Sequence, residues 1–213
     1  MLALPPRLVT VRILSAVLAA ILVFAPSTAR GDEELEQSRA TLDKVLLQRG
    51  QVVDRGKAVH RLAGIGTPGA ARVLVDAAVR LGERLEELEE ERDRLRKAYE
   101  PYDGFTFKDP KAWEIKKRMR GQLDAIDLDV QSDGVVLIAF GTAATKFSDA
   151  AALTILHKGA AAGSTAHARR ALYAGVLRNA LVSAPTIGKK GLADKSPIVR
   201  LTVLEALAAR KDP

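Results

Sequence analysis

Several stretches carry residue types from which chemistry could be built. Gly64-Ile65-Gly66-Thr67-Pro68-Gly69 has the glycine spacing of a dinucleotide-binding turn. That turn works only where a strand of a parallel sheet feeds a helix whose N-terminus meets the pyrophosphate. Here the flanking apolar periodicity is helical on both sides, and a turn between two helices accounts for every glycine. Asp127-Leu128-Asp129-Val130-Gln131-Ser132-Asp133-Gly134 resembles the start of a calcium loop. Such a loop needs glycine at its sixth position and a bidentate acid at its twelfth, and Ser132 and Ile138 stand there instead. These acids are expected to face solvent near a helix end. His60, His157 and His167 lack an i,i+4 histidine partner and any H-E-x-x-H pattern. Ser164, in Gly163-Ser164-Thr165, has no nucleophile-elbow context and is expected to cap a helix. Gly188-Lys189-Lys190-Gly191 lacks the long glycine loop and following hydroxyl of a phosphate-binding loop. The absence of cysteine excludes disulfides, zinc–thiolate and iron–sulfur sites, thiol nucleophiles and a lipoprotein anchor. No convergent catalytic set is left, so the expectation is a protein that is not an enzyme and holds neither cofactor nor metal.

One cluster stands apart. Five of the nine aromatic residues, Tyr99, Tyr102, Phe105, Phe107 and Trp113, lie close together in the chain. They form either a local core that pins a loop or a recognition patch, since binding hot spots are rich in aromatic side chains. Ten residues from Pro101 to Pro110 exceed the roughly two to five that joining two antiparallel helices requires.

The elements that must position this cluster are helical. Hydrophobic residues make up 47%, charged residues 28% and aromatics only 4%, so the core is built from Leu, Val, Ile and Ala. Residues 34–49 and 51–63 carry apolar stripes near the 3.6-residue period, with Gly50 as a stop between them. Thr67 is placed to cap the next helix and Pro68 to open it, where its missing N–H costs nothing. From Leu74 the apolar positions Ala78, Leu81, Leu85, Leu88, Leu95 and Tyr99 alternate steps of four and three, with Arg92 in one seam position. Ile115, Met119, Leu123, Ile126 and Val130 make a returning stripe, which predicts an antiparallel helical hairpin. Folding about the loop sets Glu89, Glu90 and Glu91 opposite Lys117, Arg118 and Arg120. After Gly134, helices are expected over 135–144, 150–157 and 166–181, with a flexible break at 159–164 and a short connector at 187–192.

Two stretches carry a family resemblance. The run from Ala58 to Leu74 through Gly64-Ile65-Gly66-Thr67-Pro68-Gly69 resembles a HEAT-repeat unit of the bacterial, phycobilisome-lyase-like kind. So does the run from Ala193 to Ala208, with Asp194 or Ser196 as cap, Pro197 opening the helix and Val199-Arg200 at the family's valine–arginine position. The resemblance covers roughly 35 residues. It implies an all-α, armadillo-type solenoid and says nothing of activity. The expected organisation is therefore HEAT-like helices at 32–74, a coiled-coil hairpin at 75–132, and HEAT-like helices at 133–213. In a HEAT unit the terminal Asp212-Pro213 is the turn before a second helix, so further sequence is expected to follow.

The N-terminus reads as an address. Arg7 and Arg12 precede an apolar run over 13–25, then small residues, then the abrupt acids Asp32-Glu33-Glu34. This is the pattern of a signal peptide over 1–31, cleaved after Ala29 or Gly31. The strict apolar run is shorter than the roughly 20 residues of a spanning helix, which makes an uncleaved anchor the alternative. Without residues 1–31, 30 basic residues face 26 acidic ones, a net +4 that does not call for nucleic acid. The expectation is a periplasmic or extracellular scaffold that binds a protein partner. The alternative is a non-catalytic accessory or sensor module of a longer exported enzyme.

Overall fold

The computed structural model describes residues 26–104 and 109–210, with side chains from residue 31 onward. The signal segment, apart from the helical residues 26–31, and the rings of Phe105 and Phe107 lie outside the described residues. Among the described residues the chain is all helical, with no strand. The helices are α1 (Pro26–Val45), α2 (Val52–Ile65), α3 (Pro68–Tyr99), α4 (Pro110–Ala144), α5 (Ala150–Ala162), α6 (Ala166–Arg178), α7 (Ala184–Leu192) and α8 (Pro197–Ala209). A single 3-10 turn, Glu100–Tyr102, follows α3. No helix among the described residues is long and apolar enough to cross a membrane.

Local chemistry sets the helix ends. Thr67, Asp109, Asp149 and Thr165 each accept a backbone N–H three residues on, at 3.2, 3.1, 2.8 and 3.1 Å. Each thereby satisfies one of the amides that a helix start leaves without an intrahelical partner. The cap of α6 is thus Thr165, not Ser164, whose hydroxyl donates to the Glu83 carboxylate at 3.0 Å. Gly66 closes α2 in the left-handed region, at φ +71°, which disfavours any residue with a Cβ.

Successive helices pair as α1–α2, α3–α4, α5–α6 and α7–α8. The odd-numbered helices lie next to one another in one layer and the even-numbered helices in a second. One core of aliphatic residues runs between them, from Leu42 and Leu46 through Leu74, Leu81, Phe140, Leu156 and Leu172 to Val203. The boundaries expected at 74/75 and 132/133 fall inside α3 and α4, which pass through them without a break. Gly134 does not interrupt α4, because Asp133, Val136, Leu137 and Phe140 are buried around it, and packing outweighs the ~1 kcal/mol by which glycine disfavours a helix. The break expected at 159–164 is likewise helical up to Ala162, and Gly159 lets α5 press against Val75. What was expected as a connector, 187–192, belongs to α7, which Pro185 helps to open.

α3 and α4 pack against each other, and the charge register between them differs from the expected one. The cross-hairpin pairs run from Arg92 and Arg96 to Asp127, at 3.9 and 3.5 Å, and from Lys116 to Asp103 at 3.9 Å. That slides the arms by about 11 residues, or ~16 Å, from a pairing of Glu89–Glu91 with Lys117, Arg118 and Arg120. Of these glutamates Glu89, together with Glu86, is drawn instead to the N-terminus of α6. Glu86 accepts the backbone N–H of Ala166 at 3.2 Å, and Glu89 meets His167 Nε2 at 3.0 Å. A carboxylate on a helix N-terminus gains both a hydrogen bond and the helix dipole, whereas exposed ion pairs contribute little.

Candidate functional site

Tyr99, Tyr102 and Trp113 of the aromatic cluster lie at the far end of the hairpin, beyond the two-layer body. The last core residue of α3 is Leu85, and the first of α4 is Val136 with Val130 packed against it. Beyond them the two arms carry on to the tip. Tyr99 ends α3, Tyr102 ends the 3-10 turn and Trp113 sits in the first turn of α4; all three are half-buried. The cap at Asp109 anchors that turn, because its carbonyl accepts the Trp113 N–H at 2.9 Å and its carboxylate holds Ala112. Lys116 fastens the other side by donating to the carbonyl of Asp103. Arg94, Lys97, Lys111, Lys117, Arg118 and Arg120 are exposed in the adjoining sequence, and so are the acids Asp93, Glu100, Asp103, Asp109 and Glu114. The tip therefore presents half-covered aromatic faces among charges of both signs, a composition suited to contact.

Sequence reasoning missed a set of buried charges. Asp129 and Asp133 do not face solvent: they are 7% and 0% exposed. Arg55, fully buried on α2, donates to Asp133 Oδ1 at 2.5 Å, and Arg84 of α3 lies 3.4 Å from Oδ2. Arg84 also donates to the Leu47 carbonyl at 2.7 Å, and Arg49 pairs with Asp129 at 3.0 Å. Only Asp127 of this stretch behaves as expected of a surface acid, half-exposed beside Arg92 and Arg96. A signal was available: 129 and 133 lie three and seven positions after Ile126, on the seam already traced through it. The network ties α2, α3 and α4 together and sets three arginines against two aspartates.

A second buried pair joins α6 to the turn before α8. Arg169 grips Asp194 with two bonds, Nε to Oδ2 at 2.7 Å and Nη2 to Oδ1 at 3.0 Å, and donates from Nη1 to the Gly163 carbonyl at 2.9 Å. The Arg169 hydrogen bond, against the opposing effect of burial, holds the Asp194 carboxyl below its ordinary range. Burial pushes the neighbouring Tyr173 phenol up. Gly163, Ser164, Arg169, Tyr173, Lys190 and Asp194 line an open cleft of about 670 Å³. It has no nucleophile–base pair, and its central charges are spent on each other. Among the described residues, no three His, Cys, Asp or Glu side chains converge as a metal site requires.

His60 and His157 are half-buried, and both titrate below the ordinary imidazole range, chiefly through burial and secondarily through Lys146 and Lys190. A folded-state pKa below the unfolded one means that the unfolded chain binds more protons as pH falls through about 6.5. The contribution is fully present above that pH and is lost below it. Thermal unfolding should accordingly move to lower temperature between pH 7.5 and 5, and His60→Gln with His157→Gln should flatten that slope. An unchanged slope in the double variant would assign the acid sensitivity to other groups.

No family model, no curated protein and no solved structure matches this chain.

Proposed function

We propose that this chain is an exported, non-catalytic scaffold of HEAT-like solenoid type that grips a protein partner with the tip of its hairpin. The observation that carries the reading is the contrast between body and tip. In the body the buried Arg55 and Arg169 are each paired with an aspartate, whereas the tip sets Tyr99, Tyr102 and Trp113 half-covered among exposed charges of both signs. Phe105 and Phe107 belong to the same proposed surface by sequence. The solenoid assignment is supported by the paired helices in two layers and by a repeated local device. Arg169 donates to the carbonyls of Gly163 and Ser164, and Arg200 donates to those of Asp194 and Lys195, the same contacts displaced by one unit of the chain. Export rests on the basic, apolar and small-residue order of residues 1–31. Nucleic acid is a poor fit to the modest charge excess of the remaining chain. Contact with a membrane arises only if the N-terminal segment is kept as an anchor.

The test is Tyr102→Ala with Trp113→Ala in the full chain. If the rings are binding anchors, the variant should melt within a few degrees of the parent and bind its partner about 30-fold more weakly, the equivalent of a 2 kcal/mol hot spot. Partner retention from the exported fraction of the host supplies the readout. Undiminished binding together with a large drop in melting temperature would make the rings a local core and remove the tip from the contact.

A further inference from the structure

Helix α8 buries Val199, Val203 and Ala206 and turns Ile198, Leu201 and Leu204 outward, where they are 42%, 54% and 53% exposed. Ala208 is exposed on the same face, and the one exposed charge within the helix is Glu205. Lys195, also exposed, stands just before the cap position Ser196. The helix at the other end of the same layer is built differently. Besides Val53, α2 exposes Asp54, Lys57 and Arg61. Stacking copies head to tail would press the leucines of α8 onto those charges and strip the charges of water. A second α8 offers both an apolar match and a charge match.

We infer that α8 is the contact of a closed homodimer, in which two copies pack α8 against α8 in antiparallel fashion about a twofold axis at Leu201. The axis sets Leu201 on its own copy and Ile198 opposite Leu204 of the second copy, so the apolar stripe is complementary to itself. It also brings Lys195 of each copy within one helical turn of Glu205 of the other. A parallel pairing would instead set Glu205 against Glu205. The patch is one helix wide, below the roughly 800 Å² per partner of a standard interface, so the dimer belongs in the micromolar range.

The test is sedimentation equilibrium on the purified protein, across a range of concentration from low to high micromolar. The mass should rise from monomer to dimer and stop there. Leu201→Glu should remain monomeric throughout while melting with the parent, since the replaced side chain is half-exposed in the monomer. Lys195→Glu and Glu205→Lys should each weaken association at least tenfold, and the two together should restore it. Ile138→Glu, on an exposed position of α4, should change nothing. A protein that is monomeric at every concentration overturns the inference and leaves the face to another polypeptide or a further helical unit. A mass that grows beyond dimer, a dimer that survives Leu201→Glu, or loss of the dimer in Ile138→Glu overturns it as well. A double charge swap no better than the single ones overturns the antiparallel arrangement.

Discussion

Arg55→Ala should cost about 3–5 kcal/mol of folding stability, the loss expected when one member of a buried ion pair is removed and the other is left stranded. Arg55 and Asp133 are both 0% exposed, so water cannot replace the missing partner without opening the joint between α2 and α4. Arg84, 3.4 Å from the far oxygen of Asp133, softens the loss on the carboxylate side. Asp133→Ala has no such relief, because it leaves two arginines facing each other, and it should be the worse of the two. Replacing both by leucine should recover most of the stability, since a buried pair is often no better than an apolar one of similar volume. Denaturant unfolding of the parent and the three variants gives these differences directly. A loss below about 1 kcal/mol in Arg55→Ala would mean that the pair is hydrated in solution.

Gly175→Ala should be the second large effect, about 2–3 kcal/mol, in the range of overpacked cores. A Cβ built there falls 2.2 Å from the Gly141 carbonyl oxygen and 2.7 Å from Ala144 Cβ. Backbone cannot swing aside as a flexible side chain can, so α4 and α6 must separate. The same substitution at Gly134, where nothing lies within 4 Å, should have the opposite sign. It removes a glycine from the middle of α4 and should stabilise the fold by about 0.5–1 kcal/mol. Melting curves of the two variants should shift in opposite directions. A Gly175→Ala protein as stable as the parent would show that the crossing of α4 and α6 is looser than their backbone distance implies.

Those two positions mark where the sequence could and could not be read. The all-helical class, the Thr67-Pro68 start of α3 and the seam Leu74-Ala78-Leu81-Leu85-Leu88 were legible, because each depends on residues within a few turns of one another. The burial of Asp133 could be read from its place on the seam, but its ion-pair partner could not, because Arg55 is 78 residues away. The destination of Glu86 and Glu89 was hidden for the same reason, since the helix N-terminus they serve begins only at Ala166. Glycine is ambiguous by nature: Gly134 and Gly159 look like breaks until the packing around them is known. The aromatic cluster was found from its density alone. The half-buried rings of Tyr99, Tyr102 and Trp113 suit both of the roles that density suggests, which is why the measurement must compare stability with binding.

The continuity of α3 and α4 has a further consequence. Because both helices run unbroken from the two-layer body into the arms, the tip can change its reach without any change to its base. Inserting one heptad into each arm, beyond Glu89 and before Ile126, would carry the tip outward by about 10 Å while leaving the core contacts of Leu85 and Val136 in place. Matched lengthening is thus a route by which relatives of this chain could diverge in span while keeping one body, and an unmatched insertion would rotate the tip aromatics away from each other. The body sets where the hairpin is mounted, and the arm length sets how far from that mount the tip reaches.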